Sequence, residues 1–366
     1  MYSRLANCEA KKSAFRPKRP ARLLRRAAAL ILLVLLVLFA AGSSFASTAP
    51  SPTPSIFDPY STPAHDIYHL SLFVMSICAV IFLVVFSLIV YAAVKYRKRP
   101  SDDDCEPPQI YGSNQVELAW TVIPILIVVV LFLASARVIH AVEDAKFPAN
   151  AIEVTATGHQ FWWEFEYPKY GFVTANELHV PVSPIGTSLP THIMLLSADT
   201  DHSFWVPQLA GKTDLIPNRR NEMWVEPHEV GTYVGQCAQY CGTQHAKMLL
   251  TVVVQSQDDF DHWVQDQKSP AVVSAQVAEG RKVFETNACM SCHTIAGTPA
   301  NGRFGPDLTH LMSRGTIAAG AATNTKENLR LWVQSPDAIK PGCLMPAMQL
   351  NDKDVDVLVD YLMSLH

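Results

Sequence analysis

The chain has 366 residues, enough for two or three domains. Its formal charge of −4 hides an asymmetry: residues 1–26 carry nine Lys/Arg and one acid, so the remainder stands at −12. An acidic body argues against nucleic acid as a partner and suits a basic protein partner steered by long-range charge. Of eight Cys, four fall in two tight pairs, 237/241 and 289/292, and four are scattered, which is not the pattern of a disulfide framework.

Residues 1–46 read as a long export signal: a basic stretch to Arg26, an apolar run from Ala27 to Ala41, then Ser44-Phe45-Ala46 as a small-x-small cleavage site. The run of about fifteen residues is short of the roughly 20 that a membrane span needs. Residues 47–66 form a flexible lead-in, rich in Ser, Pro and Thr as far as residue 63. Residues 67–94 are the first span, ending in Lys95-Tyr96-Arg97-Lys98-Arg99. The segment before it has no Lys or Arg, so the positive-inside rule puts the 95–115 loop in the cytoplasm. Residues 116–139 are the second span, with Trp120 at the interface and Glu117 at the cytoplasmic rim, where a solvated carboxylate costs little. The spans make a helical hairpin, and everything after them lies outside the cytoplasm.

Over 140–256 the pattern becomes short β-rich runs separated by Gly and Pro: 151–157, the aromatic run 161–167, 191–197, 222–225, 231–236 and 248–254. This predicts an antiparallel sandwich or barrel. Residues 257–275 are polar, with a short helix near 260–264, and read as a linker. From 276 to 366 the pattern is helical, over 278–285, 326–334 and 352–365, with no strand-like alternation.

Two motifs carry chemistry. Between the last two strands, Cys237, Cys241, His245 and Met248 are spaced C-x-x-x-C-x-x-x-H-x-x-M. Thiolate, thioether and imidazole favour copper, and two thiolates can bridge two copper ions. A further ligand must come from elsewhere, and His202 in Asp201-His202-Ser203-Phe204 is the best candidate; His159, His179, His192 and His228 read as ordinary residues on or near strands. The second motif, Cys289-Met290-Ser291-Cys292-His293, is the C-x-x-C-H of covalent haem attachment, with His293 as an axial ligand. There is no second C-x-x-C for zinc and no βαβ context for a redox dithiol. The sixth iron ligand lies downstream, where Cys343, Met345 and Met348 are available; Met345, before Pro346, is the choice. Gly305-Pro306-Asp307 is expected against His293, with the Pro306 carbonyl orienting its ring.

With Glu117-Leu118-Ala119-Trp120-Thr121, Gly158-His159-Gln160, His202-Ser203-Phe204, the copper loop and C-x-x-C-H in this order, essentially the whole mature chain resembles subunit II of the haem–copper cytochrome c oxidases, in the form with a C-terminal cytochrome c fused on. The resemblance implies a transmembrane hairpin, an all-β cupredoxin-like sandwich and an all-α class I cytochrome c domain. It implies a two-copper CuA centre held by His202, Cys237, the Gln239 carbonyl, Cys241, His245 and Met248. It implies one covalent haem c on Cys289, Cys292, His293 and Met345. The partners implied are the catalytic subunit I, which reduces dioxygen and pumps protons, subunit III, a cytochrome c donor and the membrane, with both extramembrane domains on the periplasmic side. Glu117 then corresponds to a carboxylate at a proton-channel mouth. Gln239 stands where the family often has a Glu that also binds a magnesium shared with subunit I, and its neutral side chain argues against that magnesium. The electron-receiving aromatic, commonly Trp directly after Gly-His-Gln, is here Phe161 followed by Trp162, which leaves the receiving residue open and leaves room for the tethered haem to approach by another face.

The alternatives to an electron-input subunit of a respiratory oxidase are the same module serving a nitric oxide reductase, or a membrane-tethered electron carrier with no enzyme partner. A quinol-oxidising subunit II, which lacks the copper ligands, is disfavoured.

Overall fold

The computed structural model describes residues 54–97, 112–143, 148, 151–184, 188–271 and 275–366. The export signal, residues 47–53 of the lead-in and most of the 95–115 loop lie outside the described residues. Helices α1 (Thr62–Lys95) and α2 (Asn114–Glu143) overrun the expected spans at both ends. At 1.5 Å per residue, the 34 residues of α1 reach ~51 Å, beyond the ~30 Å of a hydrocarbon core. Their most apolar windows have mean hydropathies of 3.1 and 2.8 and bury nothing inside the protein. A helix that is apolar all round and unburied needs lipid as its solvent. Pro124 inside α2 removes one backbone donor, a loss that membrane helices tolerate.

The β-domain consists of two five-stranded sheets face to face. One has the order β3(Phe172–Ala175)-β2(Trp162–Tyr167)-β1(Ile152–His159)-β5(Thr191–Ser197)-β8(Asn221–Val225). The other runs β4(Glu177–Pro181)-β10(Leu249–Gln255)-β9(Gly231–Cys237)-β6(His202–Trp205)-β7(Thr213–Leu215). Alternation along β10 buries Leu250, Val252 and Val254 against Ile193, Leu195 and Phe165 of the opposite sheet in one core. The expectation of a wholly antiparallel sandwich fails at two pairings. β1/β5 and β4/β10 are parallel, because the chain changes sheet between the paired strands. Short-range alternation cannot report the direction of a partner so distant in sequence.

Residues 257–275 also depart from their reading as a linker. Helix α3 (Gln257–Lys268) is capped by Ser256, whose hydroxyl accepts the Asp259 N–H at 3.1 Å, with Asp258 and Asp259 in its first turn. Phe260, Trp263 and Val264 project from one face into the β-domain core. The Trp263 indole stacks on His179 at 4.1 Å and meets Tyr167 and Phe172 edge-on, both at 5.3 Å. The short helix expected near 260–264 is longer than read, because three buried apolar residues among twelve leave the segment polar on average. Trp263→Ala should lower β-domain stability by about 3 kcal/mol, measurable as an earlier thermal transition of the domain; a true linker would show no change.

The C-terminal domain is helical: α4 (Ala278–Thr286), α5 (Cys289–Cys292), α6 (Lys326–Gln334), α7 (Pro336–Ile339) and α8 (Asp352–Leu362). Val355, Leu358, Val359 and Leu362 form the inward stripe of α8 and pack with Phe284, Ile295, Leu311 and Leu329. At the α4–α8 crossing a Cβ on Gly280 would lie 1.9 Å from the Val357 carbonyl, so only glycine permits the approach. A two-stranded hairpin, Thr316–Ile317 with Ala322–Thr323, interrupts the helices where no strand was expected; two residues are too few to show alternation.

Candidate functional site

The ends of two strands bring the first set of donors together. His202 opens β6 and Cys237 closes β9, two neighbouring strands of one sheet. The loop after β9 returns Cys241, a 3-10 turn at His245–Lys247, and Met248 just before β10. Cys237 Sγ lies 3.9 Å from Cys241 Sγ and 3.9 Å from His202 Nδ1. Cys241 Sγ lies 3.8 Å from both His245 Nδ1 and Met248 Sδ. The Gln239 carbonyl is 3.2 Å from Cys237 Sγ, while its side chain is exposed. His202, Cys237, Cys241 and Met248 are buried. These are soft and borderline donors with no carboxylate among them, and the set suits copper.

The contact with Cys241 holds the Cys237 thiol below its usual value against the effect of burial, and the same contact together with burial pushes Cys241 up. Burial works against a charge on His202, yet its bonds to Asp199 and Cys237 outweigh it and raise the imidazole to about 9. Thiolate and neutral imidazole are the ligating forms, so loading copper displaces protons from the site.

Asp199 is a functional residue the sequence reading missed. Its Oδ1 accepts from His202 Nε2 at 2.8 Å, leaving Nδ1 toward the thiols, and its Oδ2 accepts the Gln160 backbone N–H at 2.6 Å. Gln160 Nε2 in turn donates to the Cys241 carbonyl at 2.6 Å. The only signal was an acid three residues before a candidate ligand, with Asp201 competing for the same reading. Asp199→Asn should weaken copper affinity by about 10–100-fold, measured by competition with a chelator. Gly158 is needed here, since a Cβ would fall 2.8 Å from His202 Cδ2. His159 stacks on Trp162 at 4.3 Å, His179 bonds Gln255 at 2.9 Å, His192 lies 3.3 Å from Glu222, and His228 bonds Ser183 at 3.1 Å. All four have structural contacts of their own, apart from the donor cluster.

The second site is a cavity of about 440 Å³. It is lined by Cys289, Cys292, His293, Met345 and Met348, among Phe284, Leu311, Leu329 and Leu358. His293 Nδ1 is 2.8 Å from the Pro306 carbonyl, which fixes the ring and frees Nε2 for a metal. Burial holds this imidazole below its usual value, in its neutral, ligating form. A Cβ on Gly305 would lie 2.5 Å from His293 Cε1, so the ring packs directly on backbone. An apolar cavity faced by two thiols, an oriented imidazole and two thioethers fits a covalently held haem.

The two sites share a wall. Gln160, Phe161, Trp162 and Asn176 of the β-domain also line the cavity. Phe161 and Trp162 are buried, so the tethered domain covers the aromatic run and does not approach by another face. Lys340 Nζ donates to the Phe161 carbonyl at 2.7 Å, Lys247 Nζ to the Ile339 carbonyl at 2.7 Å, and the Leu249 N–H to the Ala319 carbonyl at 3.1 Å. The buried Glu177 carboxylate accepts the N–H groups of Gly315 and Thr316 at 2.8 and 3.1 Å. At the other end of the chain, Glu117 folds back on the first turn of α2, where its Oε1 accepts the Ser113 N–H at 3.3 Å.

The family model for the cytochrome c oxidase subunit II transmembrane domain matches residues 50–138, that for the periplasmic domain of the same subunit matches 152–256, and the cytochrome c model matches 277–366. Cytochrome c oxidase subunit 2 of Alkalihalophilus pseudofirmus is 34% identical over 315 residues, covering 84% of this chain and 90% of the relative. The Bacillus subtilis subunit is 30% identical over 323 residues, 82% of this chain and 88% of its own. Among solved structures, the periplasmic domain of subunit II from Bradyrhizobium japonicum aligns at 29% identity with a TM-score of 0.31, covering 34% of this chain and 97% of that one. The chain belongs to the cytochrome c oxidase subunit II family, in the form that carries a cytochrome c domain at its C-terminus.

Proposed function

We propose that the chain passes electrons from a cytochrome c donor through one covalent haem c and a two-copper CuA centre to subunit I, in a complex completed by subunit III. His202, Cys237, the Gln239 carbonyl, Cys241, His245 and Met248 hold the copper. Cys289, Cys292, His293 and Met345 would hold the haem. Both groups, when bound, supply one-electron carriers. The chain's own part is to hold their donors in fixed positions: Asp199 orients His202, the Pro306 carbonyl orients His293, and burial keeps water from both. Phe161 and Trp162, in the wall common to both sites, are the residues through which electrons reach the copper domain. The basic cluster after α1 places the 95–115 loop in the cytoplasm and the two redox domains on the periplasmic side. Glu117 then stands at the cytoplasmic rim, at the mouth of a proton path into subunit I. The exposed, neutral Gln239 side chain argues against a magnesium at that position.

The observation that carries this reading is the convergence of five soft or borderline donor atoms beside a cavity whose lining includes Gln160, the residue that bonds the Cys241 carbonyl. A soluble form of the chain that begins near Asn150 should bind two coppers and one covalent haem, with the multi-line resonance of a mixed-valence pair. One copper with an intense blue band would sink the CuA assignment. Dioxygen consumption far exceeding nitric oxide consumption separates the oxidase from the reductase reading.

A further inference from the structure

Helix α1 carries His65-Asp66-Ile67-Tyr68-His69 near its start, an H-x-x-x-H with an acid after the first histidine. Histidines four apart lie on one helix face, the spacing by which a helix offers two imidazoles to one zinc ion. Here the two rings are 6.3 Å apart, centre to centre, and inclined by only 25°. A third imidazole comes from the loop after β8, where the His228 ring lies 6.5 Å from that of His65. None of the three is a donor of the copper loop or lines the haem-site cavity.

The backbones that carry these rings are locked together. The His228 N–H donates to the Tyr60 carbonyl at 2.9 Å, the Thr62 N–H to the Glu226 carbonyl at 3.3 Å, and the Glu226 N–H to the Ser61 hydroxyl at 2.9 Å. His228 Nδ1 faces the Ser183 carbonyl at 3.1 Å, which can only accept, so Nδ1 carries a proton and Nε2 is the ligating nitrogen. The Pro306 carbonyl stands in the same relation to His293. Nε2 is 2.9 Å from the Thr62 hydroxyl, whose one proton is drawn to Glu226 Oε2 at 2.6 Å. The Thr62 oxygen then presents a lone pair to Nε2, an arrangement that a cation on Nε2 answers. Zinc–nitrogen bonds of ~2.0–2.1 Å at tetrahedral angles bring ring centres to roughly 5 Å, little more than ~1 Å closer than they stand. His65 and His69 are exposed, so rotation about their side-chain bonds covers that distance.

We propose that His65, His69 and His228 bind one zinc ion, which ties the first turns of α1 to the β-domain. Imidazoles without thiolate or thioether do not select the soft ions that the copper loop takes, and three of them leave the fourth position of a tetrahedral ion to water. Asp66 and Glu229, each next in sequence to a ligand, add negative charge around the ion. The site draws on no residue of either redox centre, so it stands or falls apart from those readings.

The test is a titration of zinc chloride into the intact, chelator-washed complex, followed by calorimetry, with cobalt(II) as a spectroscopic probe. His65→Ala and His69→Ala change exposed side chains and leave the fold intact. Each should weaken one zinc site per copy of this chain by at least ~10-fold, the lower end of what loss of an outer partner costs. His228→Gln should act in the same direction. His262→Ala removes an exposed histidine of α3 and should leave the titration unchanged. Cobalt should give the intense visible bands of four-coordination, lost in His69→Ala, without the sulfur charge-transfer band that thiols would add. Equal zinc titrations for His65→Ala, His69→Ala and the unmodified chain overturn the proposal. So does a six-coordinate or sulfur-ligated cobalt spectrum that none of the three variants alters.

Discussion

Cys241→Ser should abolish the mixed-valence copper signal while leaving the covalent haem in place. Cys241 Sγ has three potential donors as near neighbours, Cys237 Sγ at 3.9 Å and His245 Nδ1 and Met248 Sδ at 3.8 Å, so it is the atom around which the cluster closes. A serine hydroxyl is hard, stays protonated near neutrality and cannot bridge soft metal ions. Oxidase turnover with cytochrome c should fall at least ~100-fold, beyond the 10–100-fold that loss of an outer-sphere partner costs. The proposed haem site has its own core and its own thiols, so haem reduction by the donor should proceed at an undiminished rate. A variant that keeps the two-copper signal would show that Cys241 does not bridge.

Met345→Ala should lower the haem potential by more than one tenfold step in the reduction equilibrium, each step being ~59 mV. A thioether ligand stabilises ferrous iron, and its loss leaves water or another donor in place. Met345 and Met348 both line the cavity, so the choice between them rests on Pro346 and on how the segment is held. Lys340 anchors its start to the Phe161 carbonyl, and the Gly342 N–H donates to Asp337 at 2.8 Å. The Cys343 thiol donates to the Met345 carbonyl at 3.4 Å, fixing the backbone next to the chosen ligand. Met348→Ala should change the potential little; a large drop there with none at Met345 would reverse the assignment.

The features legible in the sequence are those written over short spans. Spans of apolar residues, the C-x-x-x-C-x-x-x-H-x-x-M loop and C-x-x-C-H each lie within one contiguous segment, and His202 was the best candidate once the other histidines read as ordinary residues on or near strands. What escaped depends on distant pairings. The parallel partners of β1 and β4, the docking of Trp263, and the bonds Glu177–Gly315 and Lys340–Phe161 join residues with no shared local pattern. Glu177 lies outside the runs read as strands, and Lys340 stands only as the residue before Pro341. Asp199 was hidden differently: it is adjacent to the motif, but only the folded loop shows that it, and not Asp201, meets His202.

The Lys340–Phe161 bond, with the Leu249–Ala319 bond and the Glu177 carboxylate, has a kinetic consequence. A second domain fastened at three places over the copper loop has no search to perform, and its electron step is first order, set by a constant separation. Ionic strength acts on encounters between separate charged bodies, within a Debye length of ~8–10 Å near physiological salt. Salt should therefore slow the reduction of this chain by its donor and leave the internal step untouched. The turnover rate becomes salt-independent once the donor is saturating.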